Sequence, residues 1–322
     1  MVVFALLSRG IFFSVISHRS TSSDLQFMEQ NEGLKILFII NPASGTNSTD
    51  WRSAISNFFA ASDHHIELFD LPKNCTTNLV REKIQAVSPN QVVAVGGDGT
   101  VKLVAECLLH TDMQLGILPA GSANGLAKEL GISEEPEEAL PVIANGYSKK
   151  IHVTKVNNEI CIHLSDIGFN AFLIKTFDAQ GGRGMLGYVW AAVKTLFKNQ
   201  VMSVKMVINE KPVNIKAAMI VIANATKYGA GVLINPLGKL DDDMFEVIAV
   251  KKVSFREIFK MAITHAPYDL AKTEIFQTRT LSLHTTKRAH FQVDGEYLGK
   301  VTDVNASLLQ NALEIIVPAV PQ

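Results

Sequence analysis

Between Lys35 and about Asn145 the chain alternates short, unbroken apolar runs with stretches of helical period. A strand that is apolar at every position is buried on both faces. Strand–helix alternation supplies the helices that cover it, so this half predicts a parallel α/β sheet. Strands are expected at KILFII (Lys35–Ile40), HIELFDL (His65–Leu71), QVVAV (Gln91–Val95) and LGILP (Leu115–Pro119). Helices are expected over Trp51–Ala61, from a Thr76 or Thr77 cap to Val87, over Thr100–His110 and after a Ser122 cap. Sheets of this kind take ligands at the carboxyl ends of their strands.

After about Tyr147 the pattern becomes β-rich. KKIHVTKV and EICIHLSDIGF flank Asn157 and Asn158, and VMSVKMVI and VNIKAAMIVIANA flank Asn209 to Pro212, two hairpin signals. Further strands are expected at Phe245–Val250, Thr280–His284 and Ala289–Val293, with helices over Met185–Lys198 and from Ser254 to His265. So many short strands predict an antiparallel sandwich or barrel. The organisation read from this is an N-terminal extension (1–33), an α/β domain (34–147) and a β-rich domain (148–322). Residues 1–27 read as a misplaced start or dispensable extension ahead of Met28. A transit-like segment is the alternative, because the stretch to Ser23 is acid-free and carries two arginines and several serines.

Lys plus Arg number 30 against 31 for Asp plus Glu, which excludes a general nucleic-acid binder while leaving room for a local basic patch. No apolar run after residue 30 reaches spanning length. The three cysteines, Cys75, Cys107 and Cys161, are odd in number and unpaired in pattern. A disulfide framework is therefore not expected, and a cytoplasmic setting is.

Three strand-to-helix turns carry chemical signals. Gly96-Gly97-Asp98-Gly99-Thr100 follows the third strand. Glycines let backbone N–H groups approach phosphate oxygens, and a helix N-terminus offers free donors. A carboxylate there repels phosphate unless Asp98 handles a proton or a phosphate-bound Mg²⁺; a plain turn is the alternative. Pro119 to Gly125, with Gly121, Ser122 and Asn124, repeats the arrangement after the fourth strand, although Ser122 is equally a simple helix cap. Asn41-Pro42-Ala43-Ser44-Gly45 ends the first strand and offers Asn41 and Ser44 as phosphate or ribose contacts.

NPASG, GGDGT and PAGSANGLAKEL, in this order and spacing, resemble the catalytic domain of the diacylglycerol kinase and sphingosine kinase superfamily in its compact bacterial form. The resemblance continues through IGFNAF, RGMLGYVW, NATKYGAGVLINP, LDDDMFEV and VDGE, covering Lys35 to the end. It implies a Rossmann-like nucleotide domain, a β-sandwich domain, ATP with Mg²⁺, a lipid alcohol acceptor and transient contact with a membrane surface. A homodimer stays open. On that resemblance Asp98 and Glu296 are the catalytic carboxylates, with Glu296 the proposed base of the DGE turn. A solvated strand position is the alternative for Glu296, and an ordinary hairpin turn is the alternative for Asp294-Gly295. Asn41, Ser44, Gly96, Gly97, Gly99, Thr100, Gly121, Ser122 and Asn124 would line the nucleotide cleft.

Asp241 and Asp242 would hold a structural Mg²⁺, with a solvated acidic loop as the alternative and Asp243 standing where the family has glycine. Thr46-Asn47-Ser48 stands where a basic residue is usual, and PAGSANG is worded as in sphingosine kinases, leaving the acceptor open. NAD kinase shares GGDGT and is the enzyme alternative; a silent nucleotide-binding regulator is the other. Gly182 to Val189 imitates a protein-kinase glycine loop, but no HRD or DFG sequence occurs anywhere in the chain.

Overall fold

A computed structural model describes residues 33–44, 49–179, 201–227, 233–253 and 269–319. The first half is built on β1 (Lys35–Ile40), β2 (His65–Asp70), β3 (Gln91–Gly96) and β4 (Gln114–Pro119), parallel in the order β4-β3-β1-β2. The apolar runs divide between two cores with the period of a strand. Leu37, Ile39, Val92 and Ala94 enter the cluster under α2 (Thr77–Val87) and α3 (Asp98–Leu108). Ile36, Phe38, Val93 and Val95 enter the one under α1 (Trp51–Phe59) and α5 (Pro136–Asn145). Covering both faces is what makes every position apolar.

Local signals set several boundaries. Asp50 caps α1 by accepting from Ser53 N. Thr76 stands at the cap position of α2 but makes no side-chain cap bond. α5 has no counterpart among the expected helices; it carries Pro141 inside and Pro136 at its start, where proline is tolerated.

The second half is an antiparallel β-sandwich. β5 (Tyr147–Val156) turns at Asn157 into β6 (Glu159–Cys161), followed by β7 (Leu164–Gly168) and α6 (Phe169–Ala179). β8 (Met202–Ile208) and β9 (Lys211–Ala217) are joined by Asn209 and Glu210, both at positive φ, a tighter turn than Asn209–Pro212. β10 (Met219–Ala223), β11 (Phe245–Val250) and β12 (Thr273–Thr278) follow. The strands expected at Thr280–His284 and Ala289–Val293 are one, β13 (Thr280–Val293), irregular between His284 and Ala289. β14 (Glu296–Val317) returns along it, pairs β5 and ends parallel to β4, with Glu314 opposite Gln114. The chain's last strand therefore joins the first half's sheet, and the described strands form one continuous ladder. The cores pack Val221 and Ile248 on one face of β10–β11 and Ile222 and Val247 on the other. Among the described residues no helix is long and apolar enough to cross a membrane.

Candidate active site

The strand order reverses direction between β1 and β3, the place where an open α/β sheet splays its connections and leaves a crevice. All three glycine-bearing turns meet there. Asn41 Nδ2 donates to Thr100 Oγ1 at 3.0 Å, tying the β1 turn to α3. Asp98 Oδ1 accepts from Leu126 N at 3.2 Å, tying α3 to the first turn of α4 (Gly125–Glu129). Gly97 and Gly121 touch backbone to backbone: a Cβ on Gly121 would lie 2.4 Å from Gly97 Cα. A Cβ on Gly96 would meet Thr100 Oγ1 at the same 2.4 Å. Close packing thus accounts for Gly96, Gly97 and Gly121 on its own, whereas a Cβ on Gly99 meets nothing within 4 Å.

These contacts give paired expectations for stability. Gly121→Ala should cost roughly 1–3 kcal/mol in urea unfolding, because the obstacle is backbone that cannot rotate away. Gly99→Ala should be neutral to slightly stabilising, as alanine is the better helix former and the space is open. Equal losses at the two positions would overturn this assignment of their roles.

The PAGSANG turn differs from expectation. The cap of α4 is Asn124, at positive φ, and not Ser122. Asn124 folds back on Gly121, accepting from its N–H and donating to its carbonyl at 2.9 Å, and also donates to Glu134 at 3.0 Å. Its role is to shape the turn, and its side chain is buried; Ser122 is exposed. Ser44 likewise spends its hydroxyl locally, donating to Asn41 O at 2.8 Å.

A cleft of about 730 Å³ joins the two halves of the chain. One wall is α3, with Gly99, Lys102 and Glu106; the other is the β13–β14 turn, with Asp294, Glu296 and Tyr297. Asp294 and Gly295 occupy positive φ between Val293 and Glu296, so the sequence DG does make a hairpin turn. Asp294 does more. Its carboxylate, side chain 4% exposed, accepts from Ile162 N and His163 N at 3.0 Å and Leu164 N at 3.2 Å. Burial pushes this carboxyl above its ordinary value, opposed chiefly by Lys102. Lys102 Nζ lies 4.0 Å from Asp294 and has no hydrogen-bond partner among the described residues. Burial also raises Glu106, against the pull of Lys102. Glu296, next in line, is exposed to the cleft.

Sequence reasoning missed Lys102, Glu106 and Tyr297. Lys102 had a visible signal, since it follows Asp98 by four residues and so shares its helix face.

In the Asp241–Asp243 turn two of the three carboxylates are engaged in ion pairs. Asp241 pairs with Lys149 at 3.1 Å, and Asp243 with Arg279 at 2.7 Å and Gln310 at 2.6 Å. Asp242 Oδ1 caps the turn itself, accepting from Met244 N at 3.5 Å. Among the described residues no group of three His, Cys, Asp or Glu side chains is placed to hold a metal. Lys149 thus neutralises Asp241, whereas Asp242 makes no ion pair among the described residues. A lone Asp98 at the crevice is compatible with Mg²⁺, because Mg²⁺ takes one or two carboxylates and completes its shell with phosphate and water. Gly45 to Ser48, the Gly182–Val189 segment, the Met185–Lys198 helix and the helix from Ser254 lie outside the described residues.

The site is thus an α/β crevice faced by the end of a β-sandwich. Residues 35–156 match the diacylglycerol kinase catalytic domain, and residues 167–317 match the YegS C-terminal NAD kinase beta sandwich-like domain. The chain thus combines a diacylglycerol kinase-type catalytic domain with a YegS-type C-terminal domain. An uncharacterized protein of Synechocystis sp. is 27% identical over 241 residues, 70% of this chain but only 54% of that protein. A "Probable lipid kinase YegS-like" protein of Chromohalobacter salexigens is 28% identical over 215 residues, 64% of this chain and 69% of its own length. A diacylglycerol kinase structure from Bacillus anthracis superposes with a TM-score of 0.66 at 19% identity, over 88% of this chain and 97% of that one. A second solved chain from the same strain reaches 0.72 at 20% identity, over 90% and 100%. These likenesses bear on the fold.

Proposed function

We propose that this protein transfers the γ-phosphate of ATP to the hydroxyl of a lipid alcohol, diacylglycerol-like or sphingoid, taken up from a membrane surface. The observation that carries the reading is the cleft in which α3's first turns face the Asp294–Tyr297 turn. Phosphoryl transfer needs phosphates held in place, their charge neutralised and a carboxylate to take the hydroxyl proton. In this reading the backbone N–H groups of Gly97 and Gly99 and the dipole of α3 hold the phosphates. Asn41 and Thr100, bonded to each other, fix the crevice floor. Mg²⁺, when bound, would neutralise phosphate charge beside Asp98. Glu296 accepts the proton of the acceptor hydroxyl, and Lys102 balances the buried Asp294 that holds Glu296's turn in position.

The test is transfer of labelled γ-phosphate from ATP and Mg²⁺ to diacylglycerol, monoacylglycerol, sphingosine and ceramide in mixed micelles, with NAD as a soluble acceptor. Labelled lipid is expected, falling at least a hundredfold in Glu296→Gln. Labelled NAD with unlabelled lipids would move the assignment to the NAD kinase reading. Labelling that survives Glu296→Gln would remove the base from the proposal.

A further inference from the structure

Asp166 is wholly buried, and the phosphoryl transfer proposed above makes no use of it. It stands directly opposite Gln292 where β7 pairs β13, and Gln292 is 1% exposed. Their strand neighbours Ile167, Phe291 and Val293 point the other way, into an apolar core. Asp166 and Gln292 therefore share the opposite face, and α6 packs against both strands. The Asp166 carboxylate accepts from Gln292 Nε2 at 2.5 Å, from Asn170 Nδ2 at 2.7 Å and from Ala171 N at 2.8 Å. With its nitrogen engaged by Asp166, the Gln292 amide presents Oε1 to the β13–β14 turn, where it accepts from Gly295 N at 2.7 Å. One line of hydrogen bonds thus runs from the start of α6 through Asp166 and Gln292 to the residue before Glu296. A buried polar pair carries a desolvation cost that two valines would avoid. Two valines would also leave no acceptor within reach of the Gly295 N–H.

We propose that Gln292 and Asp166 are positioning residues for Glu296. Asp166 fixes which way the Gln292 amide faces, and Gln292 in turn holds the backbone of the Asp294–Glu296 turn at the cleft. The proposal rests on the reading of Glu296 as the base. Direction matters because an amide has a donor end and an acceptor end. Asparagine in place of Asp166 would set an NH₂ group against a donor, Ala171 N–H one way round and the Asn170 and Gln292 amides the other. Turning the Gln292 amide over relieves its part of that conflict, but it then points NH₂ at the Gly295 N–H, donor against donor. Glu296 follows Gly295 directly and lines the cleft, so a turn released at Gly295 moves the carboxylate that must meet the acceptor hydroxyl. A misplacement of about 1 Å is enough to cost on the order of 10²-fold in rate. Asp294 holds the same turn separately, through the N–H groups of Ile162, His163 and Leu164.

The test reads the full chain in two ways. Hydrogen exchange of the Gly295 amide is followed by NMR without nucleotide or lipid. Gly295 is an exposed turn residue, so slow exchange there reports its bond to Gln292. Protection of about tenfold or more is expected in the wild type and should be lost in Gln292→Met and in Asp166→Asn. The second reading is the division between kcat and KM in the lipid assay. Gln292→Met should lower kcat by about 10- to 100-fold with KM for ATP within about twofold. Asp166→Asn/Gln292→Met should be no slower than Gln292→Met, because Asp166 acts through that amide. Gln292→Met decides the matter should Asp166→Asn fail to fold. Ser165→Ala is the control: it removes a different buried bond, from Ser165 Oγ to the Gln292 carbonyl at 2.7 Å, and should leave both readings near the wild type. Unchanged Gly295 protection in Gln292→Met, an equal fall of kcat in Ser165→Ala, or multiplying losses in the double variant would each overturn the proposal. A wild type that labels no acceptor would sink the kinase reading instead, and the exchange measurement would still decide whether Gln292 holds the turn.

Discussion

Asp98→Asn is expected to lower phosphoryl transfer by about 10²–10⁴-fold while changing unfolding free energy by no more than about 1 kcal/mol. The separation is possible because Asp98 does two things with one side chain. Its Oδ1 accepts from Leu126 N, so it caps α4 from a neighbouring helix, and asparagine presents the same oxygen to the same donor. What asparagine removes is the negative charge at the N-terminal ends of α3 and α4, worth a few tenths to about 1 kcal/mol of helix stability. That charge is also the feature that fits a phosphate-bound cation or a proton in transit. Asp98→Ala would remove the cap as well, adding about 1–2 kcal/mol of instability. Initial rates under saturating ATP, set beside urea unfolding of both variants, separate the two roles. If Asp98→Asn kept activity within threefold, Asp98 would be a capping residue only and the phosphate chemistry would lie elsewhere.

The crevice was legible from sequence because each of its turns is a local event. A strand runs out, glycine allows the reversal, and a helix begins; the three together lie at the strand ends whatever the rest of the chain does. The individual reasons for the glycines were not legible. Gly97 and Gly121 are far apart in sequence and read as suited to phosphate, yet their contact already requires glycine at Gly121 and leaves a Cβ on Gly97 only 3.1 Å from Gly121 Cα. Ser122 looked like a cap because serine usually caps. The turn instead closes through Asn124, whose amide satisfies Gly121 from both sides, an arrangement that propensity does not encode. For Lys102 the spacing from Asp98 was visible but the burial was not. A lysine between Val101 and Leu103 reads as a solvated helix position, and it is the β13–β14 turn facing α3 that brings Asp294 beside it. The length of β14 escaped for the same cause: its alternation weakens between Leu309 and Leu313, where it slips register on β5 before reaching β4.

Within the DGE turn, neighbouring residues should divide stability from turnover. Asp294→Ala is expected to cost about 3–5 kcal/mol, whereas Glu296→Gln should stay within about 0.5 kcal/mol of the wild type. Alanine would strip the acceptor from three N–H groups, on Ile162, His163 and Leu164, and leave the Lys102 ammonium buried without its counter-charge. Asparagine rescues poorly. Whichever way its amide turns, the NH₂ faces Ile162 N–H on one side or the His163 and Leu164 N–H groups on the other, donor against donor. The carboxylate's charge is a separate matter. Burial raises Asp294 above its ordinary value of 3.8, so the folded state holds this proton longer than the unfolded chain does. Stability from this group therefore falls as pH climbs from about 3.8 through the folded value, and Asp294→Asn should lack that slope although it is less stable at every pH. Urea unfolding of wild type, Asp294→Ala, Asp294→Asn and Glu296→Gln between pH 4 and 8 measures both effects. An Asp294→Ala variant as stable as Glu296→Gln would mean that the turn stands without its anchor. Glu296 would then owe its place in the cleft to the hairpin backbone alone.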